Sequence, residues 1–169
     1  PMTKLHVFEG DGSYPDDANN HLVVESDSHS YIGLGGGTSS DVGIHFGDSG
    51  GIGRGRLAYL NGSDAMAFST NGSERMRIDS SGRLLIGKTV VDNATVGFRF
   101  DSASGFASFA RDGGEPLYLN RKTSDGNILK FAKNDTLVGS ISTVNGDLYL
   151  GTANVNLRFT DSANDIRPV

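Results

Sequence analysis

The sequence predicts an all-β protein made of short strands and hairpins. Twenty-four glycines stand against four prolines in 169 residues, and each glycine in a helix interior costs about 1 kcal/mol relative to alanine. Turn-forming dipeptides such as Asn71-Gly72 and Asn145-Gly146 recur along the chain, as hairpins require. Candidate strands begin about every 8–12 residues, a spacing typical of meanders, sandwiches and other repetitive β-structures.

The segment Phe68–Lys88 is the clearest example of this pattern. Asn71 and Gly72 both accept the positive φ of a type I′ turn. After the turn, Met76 and Ile78 alternate with charged residues, so one face of the strand is apolar and the other charged. A polar turn over 79–82 then leads to a third strand at 84–86.

Similar patterns predict strands on both sides of this segment. They lie at residues 5–8, 22–25, 30–34, 42–46, 56–60 and 65–69 before it, and at 96–100, 106–110, 117–120, 128–132, 136–141, 147–150 and 156–159 after it. The polar break Asp92–Thr95 is interpreted as a boundary. Three parts are therefore expected: an N-terminal strand and polar linker (1–20), a first β-rich module (21–91) and a second (92–169).

Composition excludes several functional classes. The chain has no cysteine, which rules out disulfides and thiolate metal sites. No run approaches the roughly 18 apolar residues of a membrane span, so no membrane insertion is expected. A formal charge of −5 disfavours a nucleic-acid partner, because phosphate contacts need a basic surface.

One apparent catalytic motif is rejected on physical grounds. Gly82–Thr89 fits the P-loop pattern G-x-x-x-x-G-K-[ST], but a P-loop needs a flexible anion-binding loop followed by a helix. Here the loop positions carry Leu84, Leu85 and Ile86, and β-branched and turn-forming residues follow. The four histidines show no metal-ligand spacing. No catalytic, cofactor-binding or metal-binding residue is therefore predicted, and no enzymatic activity is expected.

The strands are too short and too polar to build a thick core. Leu, Ile, Val and Phe together make up about a quarter of the chain, close to the level at which folding becomes doubtful. Open strand edges would invite aggregation. We therefore expect an obligate oligomer in which the apolar side chains of Met76, Ile78 and Ile86 pack against other copies, while an irregular monomeric sandwich stays open as an alternative.

Residues Thr70–Lys88, TNGSERMRIDSSGRLLIGK, resemble a segment that recurs in bacteriophage tail fibre and tail spike proteins. There it stands upstream of a C-terminal intramolecular chaperone of the endosialidase type. The segments Gly43–Gly72, Pro116–Thr152 and Asn156–Val169 are similar to neighbouring blocks of such fibres. The resemblance implies an elongated, intertwined homotrimer of β-prism or β-sandwich-like fibre modules, leading towards a chaperone domain that this sequence lacks.

The resemblance also implies a function. The expected role is a structural and host-attachment module of a virion fibre or spike, exposed to the extracellular medium, in contact with other virion proteins and with a host surface glycan or receptor. Tyr14 and Tyr31 are candidate receptor contacts, since aromatic rings stack on sugars. Two alternatives stay open: a polysaccharide-degrading spike with carboxylates between subunits, and a capsid-bound head fibre or decoration protein.

Overall fold

The computed structural model describes residues 28–152, 155–160 and 165–168. These residues form twelve β-strands and no helix, which confirms the all-β prediction. The strands make two antiparallel sheets, one in each of two compact units, Pro1–Ala110 and Arg111–Val169.

The first unit contains a seven-stranded meander in which every strand pairs with the next one in sequence. Its strands are β1 (Val42–Asp48), β2 (Gly51–Leu60), β3 (Ala65–Thr70), β4 (Ser73–Ile78), β5 (Leu84–Ile86), β6 (Gly97–Asp101) and β7 (Phe106–Ala110). Sequential pairing of this kind needs only hairpin connections, which the frequent Gly, Asn and Asp turns supply.

The second unit contains a five-stranded meander of the same type. Its strands are β8 (Gly126–Lys133), β9 (Thr136–Val144), β10 (Asp147–Gly151), β11 (Asn156–Thr160) and β12 (Asp165–Pro168). The last strand was not predicted, because it is only 4 residues long and includes a proline, a residue that is confined to strand ends and edges.

Two sequence-predicted strands are not strands in the structure, and two others lie outside the described residues. The segments 30–34 and 117–120 are not strands, and all their side chains are exposed; among the described residues neither pairs with another strand. The predicted strands at 5–8 and 22–25, and Tyr14, lie outside the described residues.

The boundary predicted at Asp92–Thr95 does not coincide with the division between the units. The strands on either side of it, β5 and β6, pair directly, with Leu84 opposite Phe100 and Ile86 opposite Phe98. The polar segment is thus a hairpin loop within one sheet, and the chain divides between Ala110 and Arg111. Loops and linkers share the same composition, so composition alone does not separate a hairpin loop from a boundary between units.

Two of the three Asn-Gly dipeptides in the sequence form tight hairpin turns. Asn71 and Gly72 have φ of 50° and 71°, and Asn145 and Gly146 have φ of 54° and 85°, as type I′ turns require. Asn61-Gly62 instead opens a longer loop over residues 61–64, in which Asp64 takes the positive φ of 49°.

Each sheet is a single layer. Among the described residues, every strand contacts only the strands that neighbour it in its own sheet. The fully buried apolar residues are accordingly few and mostly small: Ala58, Ala65, Ala67 and Leu85. Stable domains normally pack two layers around a core, and within the described ranges no strand lies over either sheet.

Candidate functional site

One face of the seven-stranded sheet is apolar from edge to edge. Two cross-strand rows run side by side across all seven strands, and we call these fourteen residues the apolar face. The first row is Ile44–Leu57–Phe68–Met76–Ile86–Phe98–Phe109, and the second is Val42–Tyr59–Met66–Ile78–Leu84–Phe100–Ala107. Neither row carries a charged side chain.

Much of this face is open to solvent in the single chain. Ile78 is 43% exposed, Phe98 38% and Phe100 40%. Phe109 makes edge-to-face contacts with Phe98 and Phe100, at ring-centroid distances of 5.4 and 5.8 Å, an arrangement that favours packing of aromatic rings. Contiguous exposed apolar patches are rare on monomeric proteins and mark interaction surfaces.

The three residues expected to pack between copies lie together on this face. Met76 is the direct cross-strand partner of Ile86, and Ile78 occupies the neighbouring row beside Leu84. The apolar face extends beyond these three residues to Leu57, Phe68, Phe98 and Phe109, which were not predicted. Period-2 alternation in each strand was the available signal, but only the register aligns these strands into one surface.

A β-bulge keeps a carboxylate off the apolar face. Simple alternation would place Glu74 on the same side as Met76 and Ile78, but the register shifts between Phe68 and Ser69, so that Glu74 faces Ser69. Its carboxylate accepts two hydrogen bonds from Arg77, the Nη2–Oε2 contact being 2.7 Å. The extra residue in β4 therefore moves the negative charge to the opposite face.

The opposite face, which we call the polar face, covers its own apolar residues. One row on it is Ala58–Ala67–Arg77–Leu85–Arg99–Ser108. Leu85 is fully buried and lies between Arg77 and Arg99, whose aliphatic stems can cover apolar surface. Glu74 binds the end of Arg77, and Arg99 Nη2 donates to Asn93 Oδ1. The Arg99 guanidinium also lies 4.7 Å from the Phe106 ring centroid. The polar face needs no second layer.

The sheet of the second unit has the same division. Its apolar rows are Leu129–Ile141–Leu150–Leu157–Pro168 and Leu148–Phe159–Ile166. On its other face, Arg158 donates to the Asp147 carboxylate over 2.6 Å and lies 5.9 Å from the Tyr149 ring centroid. Leu148 and Leu150 are 45% and 43% exposed. The described part of each unit thus presents an apolar face that is partly exposed to solvent.

Lys88 holds the loop between β5 and β6. Its side chain is 1% exposed, and its Nζ donates to the carbonyls of Asp92 and Thr95 at 2.7 and 3.1 Å and lies 3.3 Å from Asp92 Oδ1. The lysine of the P-loop-like motif therefore stabilises the loop between β5 and β6, and we call its contacts with Asp92 and Thr95 the loop clamp. Leu84–Ile86, which would be the phosphate-binding loop, is a strand. Both observations agree with the rejection of the nucleotide motif.

Two aspartates organise turns and have lowered pKa values. The Asp92 carboxylate accepts from Thr95 N and Oγ1 and lies beside Lys88, and these contacts lower its pKa to about 2 despite the opposing effect of desolvation. Partial burial raises the pKa of Asp79, but hydrogen bonds from Arg83 and Ser81 outweigh burial and leave that pKa below its usual value. Both groups act in turns, where Asx geometry is common.

Tyr31 is 82% exposed, and its ring stacks on His29 at a centroid distance of 6.2 Å. No group of three or more His, Cys, Asp or Glu side chains in the described part of the chain is placed to hold a metal ion. The described ranges also contain no helix that could cross a membrane.

Neither a protein-family model, nor a curated protein, nor a solved structure matches the chain.

Proposed function

We propose that this chain is a structural and host-attachment module of a bacteriophage tail fibre or tail spike, and that it works as a homotrimer on the virion surface. The observation that carries the proposal is the apolar face, which spans seven strands without a charge and on which no other described strand packs. The resemblance of Thr70–Lys88 to phage fibre segments supplies the biological context.

Copies of the same chain are the best partner for such a surface. A covering layer must itself be apolar and of similar extent, since any charge facing these rows would be desolvated without a partner. Each copy offers a face of that kind. Three copies arranged around an axis would form a closed β-prism with Met76, Ile78 and Ile86 inside and the arginine-covered polar faces outside.

A face-to-face pair of sheets would also cover the apolar faces. The resemblance to fibres favours three copies over two. Three chains also give three identical attachment sites, and multivalency can raise binding well beyond the affinity of one site.

The native mass tests the proposal. Analytical ultracentrifugation should give three times the chain mass of 17.8 kDa, and Ile78→Asp should reduce it because the new carboxylate would face the axis. Ser80→Asp, in the exposed turn between β4 and β5, is the matched control and should leave the trimer intact. A native mass of one or two chains would contradict the homotrimer.

A further inference from the structure

A groove opens on the polar face, away from the apolar face. It has a volume of about 520 Å³ and is lined by His45, Ile52, Arg56, Ser69 and Glu74 together with two glycines. His45 pairs with Arg56, Arg56 with Ser69, and Ser69 with Glu74. These four side chains therefore form one row across β1–β4, about 14 Å long at the usual spacing of strands. We call it the polar groove.

Hydrogen-bond donors lie at one end of the polar groove. The Arg56 guanidinium is 3.7 Å from the Asp41 carboxylate, which is longer than a hydrogen bond. No hydrogen bond joins His45 to another described residue, and its ring lies against the backbone of Gly53, where an added Cβ would come within 3.3 Å of Nδ1. Arg56 and His45 can thus both donate to a ligand.

Acceptors lie at the other end. Arg77 uses one acceptor position on each Glu74 oxygen, and an ionised carboxylate has about four such positions. Glu74 can therefore accept further hydrogen bonds from hydroxyl groups while Arg77 holds it in place. The Ser69 hydroxyl between the two ends can donate or accept.

The groove also has an apolar wall. Ile52 is 83% exposed and contributes to the lining. A matching ligand has one negative group, several hydroxyls and an apolar C–H surface. A highly charged polyphosphate fits poorly, because Glu74 and Asp41 would repel it.

We propose that the polar groove binds an acidic oligosaccharide, with a sugar carboxylate at Arg56 and His45 and sugar hydroxyls donating to Glu74. The length of the row accommodates more than one sugar ring. The proposal deepens the attachment role proposed above and rests on it for its biological meaning, although a single chain builds the whole groove.

The test uses the full chain on an array of immobilised oligosaccharides that includes uronate- and sialate-containing members and their neutral counterparts. We expect binding to acidic members over neutral ones. Arg56→Gln should weaken that binding about tenfold or more, the usual cost of losing a hydrogen bond to a charged group. Ser69→Ala should weaken it less, and serves if Arg56→Gln fails to fold.

Lys133→Gln is the matched control. Lys133 is exposed on β8 in the other unit, so this variant removes one positive charge far along the chain and should bind like the wild type. Equal binding by Arg56→Gln and Lys133→Gln, or no preference of the wild type for acidic members, would overturn the assignment of the groove.

Failure of the groove and failure of the trimer are distinguishable. A wild type that sediments as a trimer but ignores acidic oligosaccharides refutes the groove alone. A wild type that binds them through Arg56 yet sediments as one chain refutes the trimer and leaves the groove in place.

Discussion

Lys88 occupies the position of the P-loop lysine that binds a phosphate. Its amine instead binds acceptors in the same chain. It closes the loop to β6 through Asp92 and Thr95. The sequence could exclude the nucleotide motif, because the positions of the phosphate-binding loop hold Leu84, Leu85 and Ile86, which are typical of a strand. It could not assign Lys88 its role, since the acceptors that use the amine include backbone carbonyls, which composition does not reveal.

The loop clamp makes stability depend on pH in the acid range. The pKa of Asp92 is lowered from 3.8 to about 2 in the folded chain, so its contribution is complete above the unfolded value and is lost as the pH falls towards 2. We expect the stability difference between the wild type and Asp92→Asn to be constant above about pH 5, to shrink as the pH falls towards 2, and to disappear below that pH.

Urea unfolding at a series of pH values measures this difference. Asp112→Asn controls for the loss of one charge, because Asp112 is exposed and makes no hydrogen bond to another described residue. A wild-type advantage that persists unchanged down to pH 2 would show that the ionised Asp92 carboxylate does not stabilise the loop.

At the scale of the element, alternation and turn chemistry predicted most strands of both meanders. Strands with a clear period of two, such as β4 and β6, were found from their own residues. Two exposed segments, 30–34 and 117–120, were wrongly predicted because a strand also needs a partner for its ladder. The bulge in β4 could not be predicted either, since it appears only when Glu74 is aligned with Ser69 on the neighbouring strand.

The bulge predicts an unusual tolerance to deletion. Removing Arg75 would leave Phe68 opposite Met76 and Ser69 opposite Glu74 in a regular ladder, so the apolar face should survive. The cost should be about 1–2 kcal/mol, the usual value of two hydrogen bonds, because Gly87 N donates to the Arg75 carbonyl and Arg75 Nε donates to Thr70 Oγ1.

Removing Arg77 is the matched control and should be far more damaging. It moves Ile78 by one position, and a one-residue shift turns a side chain to the other face of the sheet. Urea unfolding of the two deletion variants compares them. Equal destabilisation would mean that Arg75 is not a tolerated insertion in β4.

At the scale of the whole molecule, the sequence could indicate that a single chain lacks a core, but not where the missing layer belongs. A low content of large apolar residues is compatible with a disordered chain, a thin sandwich or an oligomer. The register aligns alternating residues of seven strands into one apolar face and places small residues and arginines on the other, which locates the surface that a second layer would cover. Long-range alignment of this kind depends on pairings that no local pattern encodes.

If copies of the chain cover the apolar face, folding and assembly are linked, and stability must rise with protein concentration. Phe98 and Phe106 belong to the same hairpin and are similarly exposed in one chain, at 38% and 41%, but they lie on opposite faces. Phe98→Ala should cost about 3 kcal/mol per chain, as in a protein core. Phe106→Ala should cost about 1 kcal/mol, mainly through its contact with Arg99. Urea unfolding at several protein concentrations measures both effects, and equal costs for the two variants together with concentration-independent midpoints would show that the apolar face remains open to solvent.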